Sequence, residues 1–248
     1  MNQYTHSTAL ITGAALRVGR AIATHLHTQG MNVLIHCHQS VESANELAAS
    51  LNHIRPNSAA VYSANLLDET KLPLLIEQCL QQFGRLDLLV NNASSFYPTP
   101  LGEITEEVWQ DLMGSNVKAP LLLSQAAAPF LKASKGAIIG IVDIHAQFPL
   151  KNHVVYNLAK AAHAQLIRVL AQDLAPDIRV NGVSPGANIW PESEHVFDTL
   201  QKQAIISRIP LAQIGVPEDI ATAVWALYQQ PYVTGQILAV DGGLSVVP

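Results

Sequence analysis

Two groups of residues have the types and spacing to do chemistry. The first is Tyr156-Asn157-Leu158-Ala159-Lys160, set in a strong helical pattern that runs to about Leu174. A spacing of four places the phenol and the ammonium on one helix face. An adjacent cation favours the phenolate over the phenol, so the pair is expected to ease proton donation at neutral pH. Asp143 ends an apolar run ahead of this helix. A carboxyl beside a phenol and shielded from water has its pKa raised and can hold a proton. The plainer reading of Asp143 is a strand-end residue that caps the next loop.

The second group is the turn Thr12-Gly13-Ala14-Ala15-Leu16-Arg17-Val18-Gly19. Glycines let a backbone turn sharply and approach a ligand, and a helix that starts there offers free N–H groups to phosphate. Arg17 gains nothing from the dipole at a helix start, which favours a phosphate partner over a merely solvated side chain. The next strand-like run ends His36-Cys37-His38-Gln39-Ser40, with no carboxylate until Glu42. An acidic residue there would bond the ribose of NAD and repel the 2′-phosphate of NADP. His38 and Ser40 can instead donate to such a phosphate and Arg17 can neutralise it, so the expected cofactor is NADPH. His36 and His38 share a strand face and form a conceivable metal pair. Structural zinc wants four ligands and no second cluster has suitable spacing, so no metal is expected.

The elements that must hold these groups are legible as short apolar runs alternating with amphipathic stretches. The runs are Thr8–Thr12, Asn32–Cys37, Ala59–Ser63, Leu86–Val90, Ala137–Val142, Ile178–Val183 and Gln236–Val240. They are almost continuously apolar, as parallel strands covered on both faces are. Gly30 and Pro176 follow helix ends, Asp68 and Thr105 sit where caps belong, and Pro217 suits a first helical position. The expected fold is a Rossmann-type α/β domain over residues 1–248: a doubly wound parallel sheet of seven strands with helices on both faces. Pro185 to Pro210 resists assignment and reads as a lid or binding loop.

Composition narrows the function classes. Of 248 residues, 49% are hydrophobic and 13% charged, against roughly 25% charged in an ordinary soluble protein. A chain this long buries roughly 70–75% of its unfolded surface and needs no staples. The net charge is −5 and the basic residues are scattered, which argues against a nucleic-acid binder. No apolar run reaches about 18 residues, so no membrane span is expected. Met1 to Ser7 is polar and leads into the first strand, without the pattern of a signal peptide. Cys37 and Cys79 read as reduced thiols, and the expected location is the cytoplasm.

These motifs resemble the short-chain dehydrogenase/reductase family over essentially the whole chain. The carriers are the Gly13–Gly19 turn, Asn91-Asn92-Ala93, Asn116, Tyr156-x-x-x-Lys160, Ser184-Pro185-Gly186 and Val240-Asp241-Gly242-Gly243. Within the family the chain looks like a pteridine reductase, on Arg17 in the glycine turn, the His-x-His-x-Ser strand end, the run Asn91 to Pro100, and Asp143 where most relatives have serine. The resemblance implies that Gly13, Arg17, Val18 and Gly19 hold cofactor phosphates and that Asn65 and Leu66 lie toward the adenine. It places Asn92 and Ala93 on the adenosine ribose side and Pro185 and Gly186 by the nicotinamide. Lys160 would bond the nicotinamide ribose and lower the Tyr156 pKa, and Asn116 would support Lys160 through water. A flat pterin would lie between the nicotinamide and Phe96, bonded by Ser94 and Arg17 and by Asp143 and Tyr156. Trp190 either roofs this pocket or packs on a neighbouring subunit. Asp241 is more plausibly structural than catalytic.

Two positions depart from the pattern: Asn65 replaces an aspartate, and Gln39 stands where some relatives carry arginine. The implied activity is NADPH-dependent reduction of dihydropterins, and of pterins or dihydrofolate, by a homotetramer. The alternatives are a carbonyl reductase, for example of 3-oxoacyl thioesters, and a non-catalytic dinucleotide sensor.

Overall fold

Every apolar run forms a strand, and all lie in one parallel sheet. The computed structural model describes residues 6–188 and 198–247. Its strands are β1 (Thr8–Ile11), β2 (Asn32–Cys37), β3 (Ala59–Ser63), β4 (Leu88–Asn91), β5 (Ala137–Ile141), β6 (Arg179–Pro185) and β7 (Ile237–Val240). The sheet order is β3-β2-β1-β4-β5-β6-β7. Both faces of β1, β4 and β5 are fully covered, which explains their unbroken apolar sequence.

Successive side chains point to opposite faces of the sheet. Ile11, Val33, Val90 and Ile139 meet α1 (Arg17–Thr28), α2 (Val41–Ile54) and α8 (Pro217–Gln229) on one side. Leu10, Leu34, Leu89 and Ile138 meet α3 (Lys71–Phe83), α5 (Ala119–Ser134) and α6 (Val154–Asp173) on the other. Full burial of each such side chain stabilises the fold by about 1.5–3 kcal/mol. β1 lies between β2 and β4, so crossovers leave it in opposite directions and open a crevice beyond its C-terminal end.

Between α4 (Glu106–Met113) and α5 the helix widens into a π-helical turn, Gly114–Lys118, which carries Asn116. The Thr105 side chain caps α4 and Pro217 opens α8, as expected. Asp68 is not the cap of α3. Thr70 occupies that position, and the Asp68 carboxylate closes the turn before it by accepting the Thr70 N–H and Oγ–H.

β4 starts at Leu88 rather than Leu86, because the Asp87 carboxylate is engaged by Arg85 and by the Thr8 N–H. The described part of 185–210 is not all loop. β6 runs on to Pro185, paired with Val240, and α7 (Thr199–Ile206) is fixed by a capping box between Asp198 and Gln201. Among the described residues no helix is long and apolar enough to cross a membrane.

Candidate active site

The glycine turn is built by hydrogen bonds from three strand ends. Gly13 has φ +61°, a left-handed conformation, and its N–H donates to His36 Nδ1 at 3.1 Å. That nitrogen therefore accepts, and Nε2 carries the proton it donates to Ala64 O at 3.1 Å. Burial pushes the His36 pKa down to about 4, so the ring is neutral at physiological pH. With both nitrogens engaged, His36 is a brace for the turn and has none left to pair with His38 around a metal.

Thr12 Oγ1 accepts the N–H groups of Asn92 and Ala93, and Asn92 Nδ2 donates to the carbonyls of Thr12 and Gly13. The Asn92 side chain thus holds the end of β1 against the end of β4 rather than reaching for a ligand. A Cβ on Gly19 would run into Gly13 O, so the helix start admits no side chain there. Arg17, exposed at the head of α1, has φ +52°. This is the left-handed region, which costs a non-glycine residue about 1–2 kcal/mol.

At the other end, β5 delivers Asp143 and α6 delivers Tyr156 and Lys160. The Tyr156 hydroxyl donates to Asp143 Oδ2 at 2.7 Å. Burial first, then the charge and hydrogen bond of Asp143, raise the Tyr156 pKa well above the ordinary phenol. This reverses the expectation that Lys160 would favour a phenolate, because the carboxylate is on the phenol oxygen while the ammonium is not. Lys160 Nζ donates to Ile141 O at 3.1 Å and lies 5.6 Å from the Tyr156 ring centroid. Burial pushes the Lys160 pKa down to about 8, against the upward pull of Asp143.

Asp143 is less shielded than expected, its side chain being 23% exposed. It also caps the turn Ile144–Ala146 through Oδ1, so the plainer reading of it holds alongside the contact with Tyr156. Asn116 is committed elsewhere: Nδ2 donates to the carbonyls of Leu112 and Ser95, and Oδ1 accepts from Ser94 Oγ at 2.7 Å. Its side chain shapes the 94–95 loop, and no direct bond from it to Lys160 is present.

Two adjoining cavities gather most of the expected residues. One, of about 460 Å³, is lined by Gly13, Arg17, Val18, Gly19, Asn92, Ala93, Ser94, Phe96, Asp143, Tyr156, Lys160, Pro185 and Gly186, among others. The second, of about 260 Å³, shares Gly13, Ala93 and Ser94 and adds His38, Asn65 and Leu66. Ser40, at the start of α2, and Asn116 lie outside both linings. Trp190 lies outside the described residues. Asp241 accepts the N–H groups of Gly243 and Ser245, a structural use.

Phe96 is 56% exposed, and its ring meets the Tyr156 ring edge-on at 4.7 Å. One face of Phe96 is covered by His153, stacked at 5.0 Å and 15°. His153 was missed in the sequence, although its place one helical turn before Tyr156 was a readable signal. The donor set of Arg17, the start of α1 and Lys160 fits an anionic ligand. Gly13, Ala93 and Ser94 stand at the junction of the two cavities, and Arg17, at the start of α1, and the proton-bearing Tyr156 stand in the larger one.

A family model described as Enoyl-(Acyl carrier protein) reductase matches residues 13–245. Pteridine reductase 1 of Leishmania tarentolae is 36% identical, over 98% of this chain and 97% of its own. A 3-oxoacyl-(acyl-carrier-protein) reductase of Staphylococcus aureus (strain N315) is 33% identical, over 95% of this chain and 97% of its own. Glucose 1-dehydrogenase 2 of Bacillus subtilis (strain 168) is 30% identical, over 98% of this chain and 96% of its own.

Proposed function

Because the chain belongs to the short-chain dehydrogenase/reductase family, a family of nicotinamide-dependent oxidoreductases, we propose that it reduces pteridines with NADPH. Dihydropterins are the first choice of substrate, with pterins and dihydrofolate next. The observation that carries this reading is the 2.7 Å contact of Tyr156 with Asp143 beside the exposed ring of Phe96. A carbonyl substrate needs a proton at one oxygen. A pteridine needs one at a ring nitrogen beside the reduced carbon, and a planar face to lie on.

NADPH, when bound, supplies hydride. Gly13, Val18, Gly19 and Arg17 meet its phosphates at the start of α1, where N–H groups are free. His38 and Ser40 take the 2′-phosphate, and Asn65 and Leu66 border the adenine. Ala93, backed by Asn92, borders the adenosine ribose, and Pro185 and Gly186 border the nicotinamide. Lys160 has three N–H donors and gives one to Ile141, which leaves others for a ribose hydroxyl.

Tyr156, held as the phenol, donates its proton to the pteridine nitrogen, and the Asp143 carboxylate orients that proton. Phe96 stacks on the bicyclic ring, which is worth about 1–3 kcal/mol by analogy with base–aromatic stacking. Ser94 and Arg17 bond the polar edge. We read residues 1–248 as one domain of a cytoplasmic homotetramer. The exposed apolar side chains Leu121 and Phe130 on α5 and Leu158 and Val169 on α6 suit contact between copies.

The test is NADPH oxidation with dihydrobiopterin and, separately, with an acetoacetyl thioester, each repeated with NADH. Turnover of dihydrobiopterin with at least about fivefold preference for NADPH supports the reading. Preference for the thioester favours the 3-oxoacyl reductase alternative, and NADPH binding without any turnover favours a sensor.

A further inference from the structure

His145 lies two residues after Asp143, in the 3-10 turn Ile144–Ala146 that follows β5. Asp143 Oδ1 accepts the His145 main-chain N–H at 2.9 Å, while Oδ2 accepts the Tyr156 phenol at 2.7 Å. The His145 ring folds back so that Nε2 stands 4.0 Å from the same Oδ1. Its Nδ1 lies 2.8 Å from the Phe148 carbonyl oxygen. A carbonyl only accepts, so Nδ1 carries a proton, and Nε2 of a neutral ring would turn a lone pair toward a carboxylate oxygen. A proton between the two atoms removes that repulsion, and a small side-chain rotation then makes a charge-assisted hydrogen bond. The His145 side chain is 27% exposed and meets water, whereas Tyr156 is buried.

We propose that His145 is a positioning residue that returns a proton to Tyr156 through Asp143. This rests on the reading of Tyr156 as the proton donor. In a turnover, hydride passes from the reduced nicotinamide to a substrate carbon. The phenol O–H bond breaks and its proton joins the neighbouring basic atom of the substrate. His145 then gives its Nε2 proton to Oδ1 of the Asp143 carboxylate, the carboxyl group so formed turns about its Cβ–Cγ bond and passes that proton to the phenolate, and His145 takes one from solvent. The balance is one hydride from the coenzyme and one proton from water added to the substrate.

Among the described residues, the other titratable groups bordering Asp143 and Tyr156 are Arg17 across the cavity, Tyr97 bonded to Asp111, Lys160 and His163 on α6, and His153 just before it. Lys160 is buried on Ile141 O, His163 is buried deeper along the helix, and His153 is bound at Nδ1 to Lys151 O under Phe96. The rival routes are Lys160, whose N–H groups not given to Ile141 are free for a coenzyme ribose hydroxyl, and a chamber of about 70 Å³ behind Asp143, lined also by Gln147, Ser184 and Ser245.

The experiment is His145→Asn in the full chain, assayed with NADPH and either dihydrobiopterin or an acetoacetyl thioester, beside Tyr156→Phe. Asparagine keeps an N–H donor near the Phe148 carbonyl and removes Nε2. The expected result is a kcat lower by about tenfold or more, toward the low side of acid–base contributions because water substitutes in part. KM stays within about twofold, the isotope effect from deuterated NADPH shrinks as proton return becomes limiting, and added imidazole restores kcat in the variant alone.

An inactive Tyr156→Phe with an unaltered His145→Asn overturns the relay, assigns proton return to Lys160 or the chamber, and leaves the site reading intact. An active Tyr156→Phe, or a wild-type protein that turns over neither substrate, overturns the site reading and the relay together. If His145→Asn melts early, His145→Gln, which also lacks a titratable nitrogen, repeats the measurement with the same expected outcomes.

Discussion

The N–H of Gly13 ends on the buried Nδ1 of His36, 3.1 Å away, so a neutral histidine on β2 sets the shape of the turn that follows β1. Its Nε2 ties the same ring to Ala64 beyond β3, and three strand ends share one side chain. Replacing it leaves a turn N–H without its acceptor, at a cost of about 1–3 kcal/mol. His36→Ala should therefore lower Tm and weaken NADPH binding together.

The same ring makes stability depend on pH. Its folded pKa, about 4, lies below the ordinary 6.5, so the unfolded chain binds the proton first as pH falls. The contribution is present above about pH 6.5 and is lost toward pH 4, by up to about 1.4 kcal/mol per pH unit. His27, lowered to about 4 by burial and Arg55, acts in the same direction. Urea midpoints measured from pH 7.5 to 4 should fall in that window, and less steeply in His36→Ala. A flat wild-type profile would contradict the assignment.

Arg17 holds a left-handed φ of +52° at a position where glycine would be unstrained. Arg17→Gly should relieve about 1 kcal/mol net, since the freedom of glycine in the unfolded chain offsets part of the gain. The Tm should rise by about 2–4 °C. NADPH affinity should fall severalfold, because the cation beside the phosphates is gone. A variant that loses stability, or binds NADPH as tightly as before, would remove the reason given for an arginine in a strained turn.

The parts of the fold that were legible in the sequence are those fixed by burial. Runs such as Ala137–Ile141 are apolar throughout because helices cover both faces, and no other element pattern explains them. α7 was illegible because it has no buried residue, so no apolar stripe marks it, and only its Asp198–Gln201 capping box betrays it. In the site, the motif brought Tyr156, Lys160 and Asp143 to one cavity. The protonation of Tyr156 was misread because spacing shows that Lys160 is near but not which atom it faces. The bonds of Asn116 were illegible for a similar reason: Ser94 and Ser95 come to it from a loop about twenty residues away, a contact that sequence spacing does not encode.

Phe96 presents an exposed ring to the larger cavity while His153 backs one face. Phe96→Ala should raise KM for dihydrobiopterin by about 5- to 150-fold, the equivalent of about 1–3 kcal/mol of stacking. KM for NADPH should change less, since the Phe96 ring contacts are with Tyr156 and His153 and not with the glycine turn. Equal losses for both ligands would mean that Phe96 supports the loop and does not meet the substrate.

Asp143 is where the account is most exposed, because among the described residues Tyr156 has its hydroxyl on that carboxylate and on no other group. The decisive measurement is kcat for dihydrobiopterin reduction by Asp143→Ala, with NADPH binding and Tm followed in parallel. The expected result is a loss of about 10²- to 10⁴-fold in kcat with coenzyme binding retained. Near-normal turnover would show that Asp143 only caps the turn after β5, and would contradict a pteridine reductase site built on the Asp143–Tyr156 pair.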